Sequence, residues 1–206
     1  MESMTGAPYL LQKGRGGYRM GHDRIFDHMM LDGLEDAYEP GRSMGTFGED
    51  CAAKYQFTRQ QQDNFAIASV QRAQAAIQSG AFTAEIAPVT LKDRKGERVV
   101  DTDEGPGKIN IDRIPTLKPA FRKDGTVTAA ASSSINDGAA AMVLMRASTA
   151  KKLGCTPLAK IVSHATHAQE PEWFSTAPIG ATEKALAKAG WQVGEVDLWE
   201  INEAFA

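Results

Sequence analysis

The sequence predicts an α/β layered fold, and three observations carry that prediction. Apolar residues recur with helical spacing up to about residue 80, then switch to strand-like runs from residue 85. Helical and strand-like stretches alternate through the last third of the chain, the pattern of layered α/β architectures. Gly80, Gly154 and Gly190 fall at the ends of helical stretches, where a left-handed residue is favoured.

Taken in order, residues 23–38 set Ile25, Phe26, Met29, Met30, Gly33, Leu34 and Ala37 on one helical face, a stripe that reads as core. Residues 45–56 predict a shorter helix carrying Cys51 beside Ala52 and Ala53. Thr58-Arg59-Gln60-Gln61 has the form of a capping box, with Thr58 as N-cap and Gln61 three residues on. An Ala/Gln-rich helix follows and stops at Gly80. Residues 85–91 and 97–101 read as strands around an Arg94-Lys95-Gly96 turn. Glycine, proline and isolated charges make 103–119 a loop. Ala139–Met145 is apolar enough for a buried strand, Ser148 can cap a short helix, and Leu158–His164 is another strand. Pro178 suits the first turn of a helix with Ile179, Leu186 and Ala189 facing inward, and Val196–Ile201 is the last strand.

Composition narrows the function classes. At 206 residues, one or two domains are expected, and a compact chain of this size buries roughly 70% of its unfolded surface. With 23 basic and 26 acidic residues, the net charge of -3 argues against a nucleic-acid surface. The basic run Lys92–Arg98 is broken by Asp93, Gly96 and Glu97 and reads as a hairpin turn. Cys51 and Cys155 are the two cysteines; their sparseness fits a reducing, cytoplasmic setting and their spacing suggests no zinc site. No apolar run approaches the ~20 residues that would span a bilayer, and the N-terminal residues show no signal pattern, so no membrane partner is expected.

Three stretches carry the chemistry. They are Met1-Glu2-Ser3-Met4, the small-residue run from Gly125 through Ser132-Ser133-Ser134 to Asn136-Asp137-Gly138 and Ala141, and Asn202-Glu203-Ala204-Phe205-Ala206. In order and separation they resemble signatures of the thiolase family. The resemblance extends through Met44-Gly45-Thr46 and Gly190-Trp191 and covers essentially the whole chain.

That resemblance implies a thiolase-like layered fold with a nearly complete inserted α+β loop domain and both core halves truncated. Residues 1–5 would end a strand of the N-terminal half, 6–135 would form the inserted CoA-binding loop domain, 136–156 would return to the N-terminal half, and 157–206 would open the C-terminal half. The implied activity is acyl-CoA C-acyltransfer, either Claisen condensation of two acyl-CoA molecules or thiolytic cleavage of β-ketoacyl-CoA. Acetyl-CoA, acyl-CoA and coenzyme A would be substrates, with no separate cofactor and no metal. The intact protein would be a homo-oligomer, a homotetramer. In the family, a cysteine takes the acyl group, and a second cysteine and a histidine handle protons. The nucleophile lies upstream of the Met-Glu-Ser-Met stretch and the other two lie downstream of Asn-Glu-Ala-Phe. This chain is therefore expected to lack all three and to be inert alone.

Residues carry over one by one. Asn202 matches the asparagine that holds a water in the oxyanion hole, a task suited to a preorganised amide. Ser133 matches a serine that contacts the pantetheine arm, and the small neighbours Ala129 and Ser132 leave room for it. The run Ala130-Ala131-Ser132 replaces the commoner Gly-Asn-Ala form here. Phe174 stands where the family has a methionine beside the acyl pocket, and Ala204 and Phe205 match residues lining the same pocket. Ser43 stands where some relatives carry a histidine near the nucleotide, with Met44 beside it. Lys108 is the nearest basic residue to a family arginine at the CoA phosphates, a point charge without arginine's fork. Glu203 fits an ion pair or a cap as well as a catalytic role.

Two other classes stay open at this point: a non-catalytic CoA-binding module, and an interaction fragment retaining only an oligomer surface. Ketoacyl synthases are a rival within the enzymes, but the insertion over 6–135 argues against them. Cys51 follows Glu49 and Asp50, which disfavour a thiolate, so it reads as a buried structural cysteine. Cys155 reads as a turn residue, and His164 and His167 have no third metal ligand in sight.

Overall fold

The computed structural model of the protein describes residues 2–94 and 96–206; Met1 of the first motif and Lys95 of the expected turn lie outside the described residues. The chain divides into two compact units, Met1–Cys51 with Ser134–Asn202, and Ala52–Ser133 with Glu203–Ala206.

The second unit is organised by its long helix. The first helix, α1 (Met44–Lys54), ends in this unit, and α2 (Arg59–Ser79) follows after a short turn. Thr58 starts α2 as the sequence predicts: its hydroxyl accepts from the Gln61 amide at 3.2 Å, and the Gln61 side chain accepts from the Thr58 amide at 2.8 Å. Gly80 ends it in the left-handed region, at φ 69°, with its amide bonded to helix carbonyls. Ala66 is buried along α2, one turn on from the polar Gln62 and Asp63, which are buried too. Arg59 holds Asp63 through both carboxylate oxygens at 2.9 Å. Its Nη2 also donates to the carbonyls of Ile114, Pro115 and Leu117 at 3.2, 3.3 and 2.8 Å. One guanidinium thus ties the start of α2 to the end of the 3-10 turn Ile111–Thr116, whose Ile114 is 1% exposed.

The hairpin is shifted from its expected place. Strands β3 (Val89–Asp93) and β4 (Gly96–Val100) pair antiparallel with Asp93 opposite Gly96, while 85–88 stays irregular. Gly96 takes φ 127°, a backbone that a β-carbon would strain, which fixes the register at this end. Lys92 pairs with Glu97 across the ladder at 2.6 Å, so the basic run is a hairpin surface as expected. The expected loop 103–119 instead holds a short helix, α3 (Glu104–Lys108), capped by Asp103, and the 3-10 turn already described. α3 is held on α2 by Gln74, whose amide donates to the Pro106 carbonyl at 2.8 Å.

The first unit carries two short strands, β1 (Tyr9–Leu10) and β2 (Phe26–Asp27), paired antiparallel. The expected helix over 23–38 is reduced to a turn and a half. The Asp27 carboxylate caps the Met29 amide at 2.9 Å, helical structure runs only to Leu34 with the wider π spacing, and Glu35 then bridges to Ser43. Helix α4 (Ala147–Leu153) begins two residues earlier than expected, with Arg146 at the N-cap, so Ser148 lies inside it and caps nothing. Gly154 closes it at φ 67°. Helix α5 (Ala177–Ala189) starts with Pro178 in its first turn and is closed by Gly190 at φ 74°.

Three expected strands do not form. Residues 139–145, 158–164 and 196–201 have no ladder partner among the described residues. Most of their apolar side chains face solvent, with Val143 83%, Leu158 104% and Leu198 89% exposed. A strand is stable only when a neighbour takes its amide and carbonyl groups, so β-prone composition without that neighbour leaves an extended, unpaired run. The segment 163–169 shows the alternation of a strand, with Ser163, Ala165, His167 and Gln169 half-buried between exposed neighbours. The consequence is large. The chain of 22.2 kDa exposes 16779 Å², whereas a compact monomer of that mass exposes about 9,400 Å². The well-buried core expected from length is not reached, and the buried apolar side chains are few: Phe47, Ile114 and Val127 are the largest among those under 3% exposed.

Candidate functional site

In the second unit, the platform is built on Thr128. This residue is fully buried; its hydroxyl accepts from the Ala131 amide at 3.3 Å and its carbonyl accepts from the Ser132 hydroxyl at 2.9 Å. A bridge between Pro119 and Thr128, and the Ala120 amide on the Val127 carbonyl at 2.9 Å, fix it from the other side. Small side chains at Ala129, Ala130 and Ala131 let the chain turn tightly as a 3-10 turn and leave Ser133 exposed at its exit.

The last residues of the chain pair with that exit. The Ser133 amide donates to the Ala204 carbonyl at 3.0 Å, and the Ala206 amide donates to the Ala131 carbonyl at 2.8 Å. Ser132 and Phe205 thus form an antiparallel bridge, and the Phe205 ring meets Phe121 edge to face, with centroids 6.0 Å apart. Five of the sequence-predicted residues, Ala129, Ser132, Ser133, Ala204 and Phe205, are therefore neighbours. They are not equivalent. The Ser132 hydroxyl is spent on Thr128, whereas the Ser133 hydroxyl has no partner among the described residues and is free to receive a ligand. The Glu203 carboxylate accepts from the Ser69 hydroxyl of α2 at 3.0 Å.

Contacts string along α2 in order: Gln62 to the Thr126 hydroxyl at 2.8 Å, Ser69 to Glu203, and Gln74 to Pro106. At 1.5 Å per residue, Ser69 and Gln74 lie about 7.5 Å apart along the axis. Lys108, on α3, is thus carried on the same helix as the platform. Its ammonium is engaged by Glu104 at 2.9 Å. The hydrogen bond and then the charge of Lys108 hold the Glu104 carboxyl below its ordinary 4.5, against a desolvation that raises it and with help from the charge of Arg98. Any phosphate at Lys108 would compete with that pair.

The first unit carries Ser43, Met44, Phe174 and Asn202. Ser43 precedes α1, and its carbonyl accepts from the amide and hydroxyl of Thr46 at 3.0 and 2.7 Å. Met44 opens α1, half-buried, and Phe47 lies three residues on, hence on the same helical face. Phe47 is 1% exposed and meets Phe174 edge to face, centroids 5.9 Å apart at 80°. Phe174 sits in the 3-10 turn Pro171–Thr176, which Gln169 staples: its side-chain amide donates to the Trp173 carbonyl and, at 2.7 Å, to the Thr176 hydroxyl. Asn202 lies in an extended, exposed stretch with no side-chain partner among the described residues, directly before Glu203.

Cys51 is only half-buried, less than expected; Cys155 is exposed just after Gly154. No group of three metal-binding side chains occurs among the described residues. His167 packs on α5 so closely that a β-carbon at Gly180 would come within 2.6 Å of its ring. Sequence reasoning missed Arg42, Phe47 and Gln169. Arg42 was legible only as a charge beside an acidic stretch, and nothing in its neighbours marks its aromatic partner. A cleft of ≈520 Å³ between the end of α2 and the hairpin, walled by Ile77, Phe82, Ile86 and Val89, contains none of the candidate residues.

Residues 1–148 match the thiolase N-terminal domain and residues 155–206 the thiolase C-terminal domain, so the chain belongs to the thiolase family. Among individual relatives, it is 49% identical over 207 residues to the acetyl-CoA acetyltransferase of Pseudomonas aeruginosa, and 48% identical over 209 residues to acetyl-CoA acetyltransferase 2 of Arabidopsis thaliana. Each match covers 100% of this chain and 52% of the relative. The crystal structure of the Bacillus anthracis acetyl-CoA acetyltransferase superposes with a TM-score of 0.90 at 40% identity, over 99% of this chain and 52% of that one. The chain thus has a thiolase fold and spans about half the length of the curated relatives it matches.

Proposed function

We propose that the protein carrying this chain is an acyl-CoA C-acyltransferase that condenses two acyl-CoA molecules or cleaves β-ketoacyl-CoA with coenzyme A, and that this chain supplies the CoA-binding platform and the oxyanion asparagine. The observation that carries it is the pairing of Ala204–Ala206 with Ala131–Ser133, which sets the free Ser133 hydroxyl beside the Asn-Glu-Ala-Phe stretch. Two family signatures far apart in sequence meet in one place, as a shared substrate requires. In this reading residues 6–135 form the inserted CoA-binding domain, and the compact stretch Ala52–Ser133 lies within it.

On the family resemblance, Ser133, Ala129 and Ser132 would serve the pantetheine arm, Ser43, Met44 and Lys108 the nucleotide, and Phe174, Ala204 and Phe205 the acyl group. Asn202 would orient a water towards the thioester oxygen as negative charge develops on it. An amide fixed by its backbone needs little reorganisation at that moment, which is where such donors gain their effect. The unpaired apolar runs 139–145, 158–164 and 196–201 would be strands of the two core halves, paired in the intact protein by neighbours from elsewhere in it. The intact protein would be a homo-oligomer, in the cytoplasm.

The test is thiolysis by the intact protein. With coenzyme A and acetoacetyl-CoA it should form two molecules of acetyl-CoA per turnover. Tight CoA binding with no turnover would instead favour a binding module.

A further inference from the structure

We propose that Arg42 is a positioning residue that sets the acyl-chain tolerance of the site through Phe47 and Phe174, without touching the substrate; this rests on the thiolase reading above. The guanidinium is held from two sides, Nη1 on Glu39 at 2.8 Å and Nη2 on Asp50 at 2.7 Å. Its carbon stands 3.9 Å from the centre of the Phe47 ring, within cation–π contact. The far side of the column is the edge-to-face contact of Phe47 with Phe174. Glu39 and Asp50 therefore fix Arg42, Arg42 fixes one face of Phe47, and Phe47 gives Phe174 a seat.

Three features make this more than a local packing detail. Phe47 is almost wholly buried, so its ring cannot turn without opening a void. Phe174 is 38% exposed and so presents a free face beyond the column. Gln169 independently locks the turn that carries Phe174. The outcome is an aromatic wall braced at its back by a charge cluster and at its base by a hydrogen-bonded turn. A stiff wall rejects added methylenes, whereas a wall free to tilt accommodates them. The substrate class that follows is short acyl chains, and Arg42 is the brace.

The experiment compares acetoacetyl-CoA and 3-ketohexanoyl-CoA in thiolysis by the intact protein, for wild type, Arg42→Met, Arg42→Lys and Phe174→Ala. Discrimination against extra methylenes in apolar pockets spans about 10- to 200-fold, and Arg42→Met should reduce the preference for the shorter substrate about ten-fold, mainly through KM for the longer one. Phe174→Ala should relax it in the same direction. Arg42→Lys, which keeps a cation over the ring, should retain most of the preference and folds where the methionine variant fails to. A wild type that turns over neither substrate sinks the functional reading and this inference with it. A wild type that turns both over, with the ratio unchanged in Arg42→Met while both rates fall together, sinks the inference alone and leaves Arg42 a purely structural residue. Equal loss of preference in Arg42→Lys and Arg42→Met also overturns it.

Discussion

Replacing Arg59 by alanine should cost the second unit more stability than any other single exposed-rim substitution in it. The residue makes Nε contacts with both oxygens of Asp63 and three Nη2 contacts with the carbonyls that end the 3-10 turn. The Asp63 side chain is 4% exposed and that of Arg59 26%. Removing one partner of a buried pair costs about 3–5 kcal/mol because a charge is left buried and unpaired. Partial access of solvent to the vacated space offsets some of this, so about 2–4 kcal/mol is expected here. For a unit of this size each kcal/mol moves the midpoint by about 4–8 °C, which gives a drop of about 8–32 °C. Thermal melts followed at 222 nm report mainly on α2. The double variant Arg59→Ala/Asp63→Ala should recover part of the loss, since it removes the stranded carboxylate. A single-variant shift under about 2 °C, or a double variant no better than the single, would refute the argument that this guanidinium holds α2 to the 3-10 turn.

Other outcomes follow from the same geometry. Ser133→Ala should weaken coenzyme A binding by about 0.5–1.5 kcal/mol, the net worth of one hydrogen bond, in calorimetric titration. Asn202→Ala in the intact protein should lower turnover by about 10²–10³ with little change in melting temperature, because its amide supports no other described residue. Glu104 has its folded pKa depressed, so the stabilisation from its pair with Lys108 is present above the ordinary 4.5 and lost as pH falls through the lower folded value. Carboxyl resonances followed by NMR should place the Glu104 midpoint below 4.5, and Lys108→Met should return it towards that value.

What the sequence revealed and what it hid divide along physical lines. Local chemistry was legible. The Thr58–Gln61 capping box and the glycine caps at 80, 154 and 190 need only neighbours a few residues away, and all are present. The stripe over 23–38 misled because Asp27 caps a new start and Phe26 is taken by a strand partner, Leu10, that the periodicity does not reveal. The three apolar runs misled for the opposite reason: composition says what would be stable in a sheet, not whether a partner strand is at hand. The small residues at 129–131 were legible as a tight run, and a 3-10 turn forms there. The pairing of Ala131–Ser133 with Ala204–Ala206 and the column from Arg42 to Phe174 depend on contacts remote in sequence, and no local pattern announces them.

The central claim is that coenzyme A thioesters are held where Ala131–Ser133 meets Ala204–Ala206. It is tested most directly by mapping amide chemical-shift changes on this chain during titration with coenzyme A. The account predicts saturable shifts at Ser132, Ser133, Ala204 and Phe205, lost in Ser133→Ala. Shifts confined to the apolar cleft around Ile77, Phe82 and Val89, or identical titration of Ser133→Ala and wild type, would contradict it.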